Sequence, residues 1–517
     1  MKNYFKIGFC TAGVVSGLTP AVYSQNKQAA HPNIVYVFPD QFRKTAMGFW
    51  EEEAFNGVLR YASDPVHTPH LNAFARESLV LTEAVSNCPL SSPHRGMLLS
   101  GMYPHRSGVT LNCNSDRPNS SLRQDISCLG DVFCRAGYST GYIGKYHADF
   151  PVPNDPQRPG HYVDDKMPCW DAYTPPARRH GFEYWYSYGT FDVHKHPHYW
   201  DTQGNRHDPQ EFSPKHEADM AVSYIKNEKG QRDANKPFLL IVSMNPPHSP
   251  YASAKDVMPE DYDLYKNIPL EKLLNRKNVD RNLQKIRNAP YYFANVTAVD
   301  REFGRILLAL KEQGLDQNTI VVFTSDHGET MCSHVEDPKN SPYAESFDVP
   351  FLIRYPGKII PRTDNILMGS PDIMPTLIGL AGLSDVLPSS VQGADYAVYF
   401  LDPERNSQLK PRSALYIRNA NGEKASDGKI YDFRPDIRGL KTERYTFAVQ
   451  INKSGQVVHT YFFDNFTDPY QLNNIPFEEK PEEVNLLWKE LLHRLKMSGD
   501  PAYEIVELAY NKNQCKK

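Results

Sequence analysis

Three apolar runs in this chain each end in a cluster of polar side chains, and that recurrence restricts the fold more than any other feature. Ile34-Val35-Tyr36-Val37-Phe38 leads into Pro39-Asp40-Gln41, and Phe238-Leu239-Leu240-Ile241-Val242 leads into Ser243-Met244-Asn245-Pro246-Pro247-His248. Ile320-Val321-Val322-Phe323 leads into Thr324-Ser325-Asp326-His327-Gly328. Continuous β-branched and aromatic runs of this length read as strands buried on both faces. Helical patterns lie between them. Over 293–313, Phe293, Val296, Val299, Phe303, Ile306, Leu307 and Leu310 recur at helical spacing. The alternation predicts an α/β fold, a large and mostly parallel mixed sheet flanked by helices. Such folds bind ligands beyond the carboxyl ends of their strands, where the Asp, Gln and His residues stand.

At 517 residues, with 40% hydrophobic and 23% charged, the chain can bury a sizeable core. Its net charge of −4 gives no nucleic-acid footprint. Lys2 and Lys6 precede an apolar stretch over 7–18, too short to cross a bilayer, and Val22-Tyr23-Ser24 offers small residues for cleavage. Residues 1–24 therefore read as a signal peptide, with export to the periplasm and no stable membrane insertion. Cys10 raises a lipoprotein alternative, but Phe9 stands where a small residue is wanted. Cys88, Cys113, Cys128, Cys134, Cys169, Cys332 and Cys515 follow no zinc spacing. They read mostly as buried thiols, with room for one structural disulfide.

The candidate nucleophile is Ser91, in Cys88-Pro89-Leu90-Ser91-Ser92-Pro93-His94-Arg95-Gly96-Met97-Leu98-Leu99-Ser100-Gly101. Ser92 can cap a helix whose first position suits Pro93. Ser91 then stands beside free amides that favour an anion, with Arg95 four residues on along nearly the same face. Ser91, Pro93, Arg95, Leu99 and Gly101 resemble the signature of the type I sulfatases, Cys/Ser-x-Pro-x-Arg-x-x-x-Leu-x-Gly, and Tyr103-Pro104-His105-Arg106-Ser107-Gly108 continues it. Cys88 fails that register. The resemblance implies an alkaline-phosphatase-like fold and a serine-type enzyme in which a maturase converts Ser91 to Cα-formylglycine. His94 departs from the small residue common between Pro and Arg.

The resemblance extends over about 30–480. It implies Asp40, Gln41, Ser91, Asp326 and His327 as ligands of one divalent cation, usually calcium. Imidazole is not a usual calcium ligand, so His327 either binds the metal or orients substrate oxygens. Gly144-Lys145-Tyr146-His147 matches the family's Gly-Lys-x-His strand end, His248 its Pro-His-x-Pro loop, and Lys339 the lysine before Tyr343-Ala344-Glu345-Ser346. Asp464 to Asn474 resembles the family's C-terminal segment. Residues 445–450 and 459–464 alternate like antiparallel strands, and 481–496 form an amphipathic helix. A catalytic domain over 25–405 and a C-terminal α+β subdomain over 406–517 are expected.

By that resemblance the reaction is sulfate-ester hydrolysis. Hydrated formylglycine attacks sulfur; the cation, Arg95, Lys145 and Lys339 hold the sulfate oxygens; His248 protonates the leaving alcohol; and His147 takes a proton from the remaining hydroxyl as sulfate departs. Trp170, Trp185 and Trp200 offer faces for sugar stacking, and Asp192-Val193-His194-Lys195-His196-Pro197-His198-Tyr199-Trp200 reads as a specificity loop. Within it Asp192 is expected to orient His194 toward a sulfated saccharide. The rivals are a two-metal phosphatase or phosphodiesterase on the same fold and a silent glycan-binding protein.

Overall fold

The computed structural model describes residues 31–152, 167–334 and 337–514. The expected signal peptide lies outside them. The described residues form one compact unit.

Ten strands build the main sheet: β1 (Asn33–Val37), β2 (Leu79–Leu81), β3 (Ser139–Lys145), β4 (Tyr184–Tyr188), β5 (Tyr199–Trp200), β6 (Arg206–His207), β7 (Phe238–Ser243), β8 (Thr319–Thr324), β9 (Phe351–Arg354) and β10 (Arg362–Asp364). Their spatial order is β10-β2-β9-β8-β1-β7-β3-β4-β5-β6. The central five, from β8 to β4, are parallel to their neighbours, and antiparallel partners enter at β9 and at β5. The three apolar runs of the sequence are β1, β7 and β8, side by side at the centre. Their residues alternate between two cores. Val35, Val37, Leu240, Val242, Val321 and Phe323 face one side, packed against helices Ser213–Lys226 and Ala289–Glu312. Ile34, Tyr36, Leu239, Ile241, Ile320 and Val322 face the other, where helices Ser91–Ser100, Leu129–Arg135 and Ile373–Leu380 lie. Burial on both faces is why these strands read as unbroken apolar runs.

A second sheet of four antiparallel strands follows: β11 (Ser413–Asn421), β12 (Phe433–Thr442), β13 (Tyr445–Ile451) and β14 (Val457–Asp464). Helix Pro481–Ser498 covers it with Leu487, Trp488, Leu491 and Leu495. That core also takes in Cys88 and Met97, so the second sheet packs directly on helix Ser91–Ser100. No helix among the described residues is long and apolar enough to cross a membrane.

Cys88, Cys113 and Cys128 are buried free thiols, and burial pushes the first two up to about 12. The buried-thiol reading fits them. None of these three takes part in a disulfide.

Gly144 sits in β3 at a φ of 90°, and a Cβ there would collide with the Ser243 carbonyl of β7. Gly144→Ala is expected to cost about 2–4 kcal/mol, because it combines left-handed backbone with overpacking. Denaturant titration against the parent protein measures the loss.

Candidate active site

The carboxyl ends of four adjacent strands, β8, β1, β7 and β3, deliver the polar residues. Asp326 and His327 follow β8, Asp40 and Gln41 follow β1, and Asn245 and His248 follow β7. Lys145 closes β3, with His147 two residues beyond. Backbone bonds from Phe38 N to the Val242 carbonyl (3.0 Å) and from Asp40 N to the Met244 carbonyl (2.9 Å) carry the β1–β7 ladder past the strands. Gln41 then turns with a φ of 64°. Its backbone N–H and that of His327 both donate to Asp326 Oδ1 at 3.0 Å.

Helix Ser91–Ser100 is buried along its whole length and ends at Gly101 in left-handed conformation, φ 67°. Ser92 was expected to cap it, yet the helix starts at Ser91, after Leu90. Tertiary partners explain the earlier start: Ser92 N donates to Asn112 Oδ1 (3.1 Å), and Ser92 Oγ accepts from Cys113 N (3.0 Å). His94 lies between Ser86 Oγ and Ser370 Oγ, both at 3.0 Å from Nδ1. Burial and then Arg95 hold its imidazole down at about 3. It is a neutral core histidine that anchors the helix.

Arg95 is fully buried. Its guanidinium donates to the Lys145 carbonyl and Ser243 Oγ (2.7 Å each), to Asp40 Oδ2 (3.1 Å) and to Asp326 Oδ2 (3.2 Å), above the Phe38 ring. Lys145 Nζ meets Asp40 Oδ2 at 2.8 Å and Asn245 Oδ1 at 3.0 Å. Burial alone would raise the Asp40 carboxyl, but Lys145, His248, His327 and Lys339 outweigh it and hold it well below the usual range. Asp326 is pushed up instead, by burial and by Asp40.

Asp40, Asp326 and His327 bring ligand atoms within 4.8 Å of one another. His327 Nδ1 faces the Gly328 carbonyl at 2.9 Å, so it carries the proton and Nε2 keeps its lone pair. Burial and Lys339 keep that ring neutral. The lone pair points toward Asp40 Oδ1 at 3.4 Å, a buried oxygen with no hydrogen-bond partner, and toward Ser91 Oγ at 3.1 Å. The Ser91 hydroxyl can donate to Nε2, but Asp40 Oδ1 has no donor, and this bare carboxylate oxygen facing a ring nitrogen fits a cation at that point. Gln41 Oε1 accepts from Lys339 Nζ at 2.9 Å, while its Nε2 donates to Glu329. Glu329 also accepts from Tyr251 OH (2.8 Å).

Above this layer lies a cavity of about 340 Å³. Ser91, Lys145, His147, Asp192, His248 and Lys339 all line it, whereas Asp40, Gln41, Arg95, Asp326 and His327 do not. Arg95 therefore braces the carboxylates from below instead of reaching into the cavity. Its long side chain, aimed by four fixed acceptors, runs under Ser91. His147 donates Nε2–H to the Cys113 carbonyl (3.2 Å), leaving Nδ1 buried and unpartnered. Burial, then Lys145 and Arg95, keep its pKa well below the ordinary value, so it offers a neutral base.

The 192–200 segment divides. Asp192 lines the cavity, but its carboxylate lies 3.3 Å from His248 Nδ1 and accepts from Asn245 Nδ2 (3.4 Å); no bond to His194 is formed. His194 lies outside the cavity wall, buried, with Nδ1 3.3 Å from the Asp256 carbonyl and its ring against Phe212. This corrects the expected Asp192–His194 pairing. Loop 245–256 packs against the segment and captures both residues separately. His198 binds Asp171 at 2.6 Å, and Tyr199–Trp200 is strand β5. Trp185 and Trp200 are core residues; Trp170, 39% exposed, is the tryptophan in the cavity wall. Asn112, Asp171, Glu329 and Asn245 were missed. Only Asn245 had a signal, its place at a strand end.

A sheet of this order, with buried Asp40, Asp326 and His327 clustered at its centre and a buried serine at a helix start beside them, defines an alkaline-phosphatase-like fold. This chain belongs to the sulfatase family: residues 32–383 match the family model described as Sulfatase, and residues 337–498 match N-sulphoglucosamine sulphohydrolase, C-terminal. It is a sulfuric ester hydrolase. It is 59% identical to an endo-4-O-sulfatase of Bacteroides thetaiotaomicron, over 92% of this chain and 94% of that protein. It is 34% identical to an ulvan-active sulfatase of Formosa agariphila, over 92% and 83% respectively. A solved structure from work on the metabolism of multiple glycosaminoglycans by Bacteroides thetaiotaomicron superposes with a TM-score of 0.90 at 59% identity, covering 92% of this chain and 98% of that one.

Arg95→Ala leaves Asp40 and Asp326 buried without their shared counter-charge. The expected loss is about 3–5 kcal/mol by denaturant titration. His194→Ala is expected to lower stability by about 1–3 kcal/mol while leaving kcat/KM within about two-fold on any sulfate ester, which steady-state kinetics checks.

Proposed function

We propose that this protein is an exported sulfatase of sulfated glycans that works through formylglycine made from Ser91 by a maturase, with one calcium ion at Asp40, Gln41, Asp326 and His327. The observation that carries the reading is the meeting of Ser91, Lys145, His147, His248 and Lys339 around one cavity, directly above a single cation's ligand set. The endo-4-O-sulfatase name of the 59% identical relative, and the glycosaminoglycan setting of the superposable structure, bring the substrate to a 4-O-sulfate within a glycosaminoglycan chain. The 340 Å³ cavity suits a saccharide unit, and Trp170 offers its wall a face for stacking.

Hydrated formylglycine supplies one hydroxyl to accept the sulfuryl group and a second to expel sulfate, and calcium supplies charge for the sulfate oxygens. The chain's own residues do the rest. Lys145 and Lys339 sit in the cavity wall with ammonium groups for the sulfate oxygens, preorganised by Asp40, Asn245 and Gln41. His147 takes a proton at Nδ1. His248 gives one to the leaving alcohol. Arg95 holds the two ligand carboxylates apart and in place.

A two-metal phosphatase needs a second ligand set beside the first. Among the described residues the other metal-competent group is Cys128, Asp131 and His180, none of which lines this cavity. Asp131 there bonds the Cys128 backbone N–H (2.9 Å) at a helix start.

Mature protein is expected to show a residue-91 peptide lighter by two hydrogens than the serine form. Ser91→Ala is expected to fold and bind calcium by calorimetry, with no turnover of a sulfated disaccharide. Exhaustive chelation is expected to abolish turnover of mature enzyme, and calcium to restore it. Persistent activity in either case sinks the assignment.

A further inference from the structure

Resting on the reading of His248 as the leaving-group acid, we propose that Asp192 is its positioning residue, holding the imidazole so that Nε2 presents its proton to the ester oxygen. The sequence pattern had turned Asp192 toward His194. The fold turns it toward His248.

Three oxygens face His248 Nδ1: the Ser249 carbonyl at 2.8 Å, Asp192 Oδ1 at 3.3 Å and Ser249 Oγ at 3.4 Å. The two nearer ones, a carbonyl and a carboxylate, can only accept, so they hold the ring proton on Nδ1. Nε2 is the nitrogen left to serve the substrate. Asp192 is fixed in turn. Asn245 Nδ2 donates to the same Oδ1 (3.4 Å), and Asn245 Oδ1 accepts from Lys145 (3.0 Å), which is paired with Asp40 (2.8 Å). One chain of contacts thus runs from the cation ligands to the acid.

Charge explains why a carboxylate belongs there. An acid that works as imidazolium sits in a cavity already lined by Lys145 and Lys339. Asp171, also in the wall, is committed to His198 (2.6 Å) and the Gly189 N–H (2.6 Å), while Asp40 and Asp326 lie beneath the cavity and are committed to Arg95. Asp192 is the carboxylate in the wall beside His248 and offsets the two ammonium groups. Its side chain is 51% exposed; enclosure by the wall acts to raise it, but His248 and Lys145 hold it below the usual range, so it stays ionised. In the step it serves, the S–O(ester) bond breaks with its electron pair going to the ester oxygen. That oxygen takes the Nε2 proton, and the sulfuryl group passes to the hydroxyl oxygen of residue 91, whose own proton passes to the Asp326 carboxylate. His248 ends neutral, with its Nδ1 proton still held.

The test compares kcat and KM of the mature, calcium-loaded enzyme on a sulfated disaccharide and on 4-nitrophenyl sulfate, whose leaving phenolate needs little protonation. Asp192→Asn is expected to lower kcat on the disaccharide about 10- to 100-fold, part of the 10²–10⁴ that a general acid contributes, with KM within about two-fold. The loss on the aryl ester is expected to be under about three-fold, with Asp192→Glu recovering part of the disaccharide rate. His248→Ala is expected to show the same bias, larger. Thermal melting identifies a misfolded Asp192→Asn, in which case Asp192→Glu and Asn245→Ala carry the comparison. A rise in KM with kcat unchanged would make Asp192 a sugar-binding residue and overturn the proposal. So would equal losses on both esters in a folded variant. A His248→Ala enzyme without bias would instead remove the acid assignment on which the proposal rests.

Discussion

One buried guanidinium holds the centre of this molecule. Arg95 bonds two carboxylates, a hydroxyl and a backbone carbonyl, and those four acceptors belong to the ends of β1, β8, β7 and β3. A charge at zero exposure is tolerable only with pairing of this kind, here made through both terminal nitrogens. Two carboxylates brought together at adjacent strand ends equally need a cation between them. At an effective dielectric of about 20, a unit charge pair at 4 Å is worth roughly 4 kcal/mol, enough to decide which arrangement persists. The helix that carries Arg95 also carries Ser91 one turn earlier, so satisfying the arginine fixes Ser91 beside His327, 3.1 Å from its Nε2.

The remaining groups divide according to which side of that layer they occupy. Below it, charges are locked in pairs. Above it, Lys145 and Lys339 keep their ammonium groups at the cavity wall while their partners hold them still. The histidines divide by burial. His94, His147 and His327 are enclosed and held neutral. His248 sits further out, beside the Asp192 carboxylate.

The second sheet belongs to this arrangement as much as the first. The Ile417 N–H donates to the Asn87 carbonyl at 2.7 Å, just ahead of the nucleophile helix, and Asn87 Nδ2 returns a bond to the Leu415 carbonyl at 2.6 Å. Tyr416 OH bonds the Asn340 carbonyl, next to Lys339 (3.2 Å). With Cys88 and Met97 in the shared core, β11 supports both the helix and the loop that carries the lysine.

The sequence by itself determined the central strands, the helices between them, the nucleophile register and the residues at the strand ends. Each of these is written in local order: an apolar run, a helical period, or a motif of fixed spacing. The pairing of side chains across the fold was decided only in three dimensions. Asp192 and His194 stand two apart, on one side of an extended segment, and nothing local forbids their contact. The 245–256 loop, more than fifty positions away, packs against that segment and gives each a different partner. Likewise Arg95 shares a helical face with Ser91, yet the depth of the helix places its head beneath the cavity. Three tryptophans look alike in the chain, and only burial separates Trp170, at the cavity, from Trp185 and Trp200, in the core. Local spacing fixes which residues reach a strand end; the packing of distant segments fixes which of them face each other, and which face the substrate.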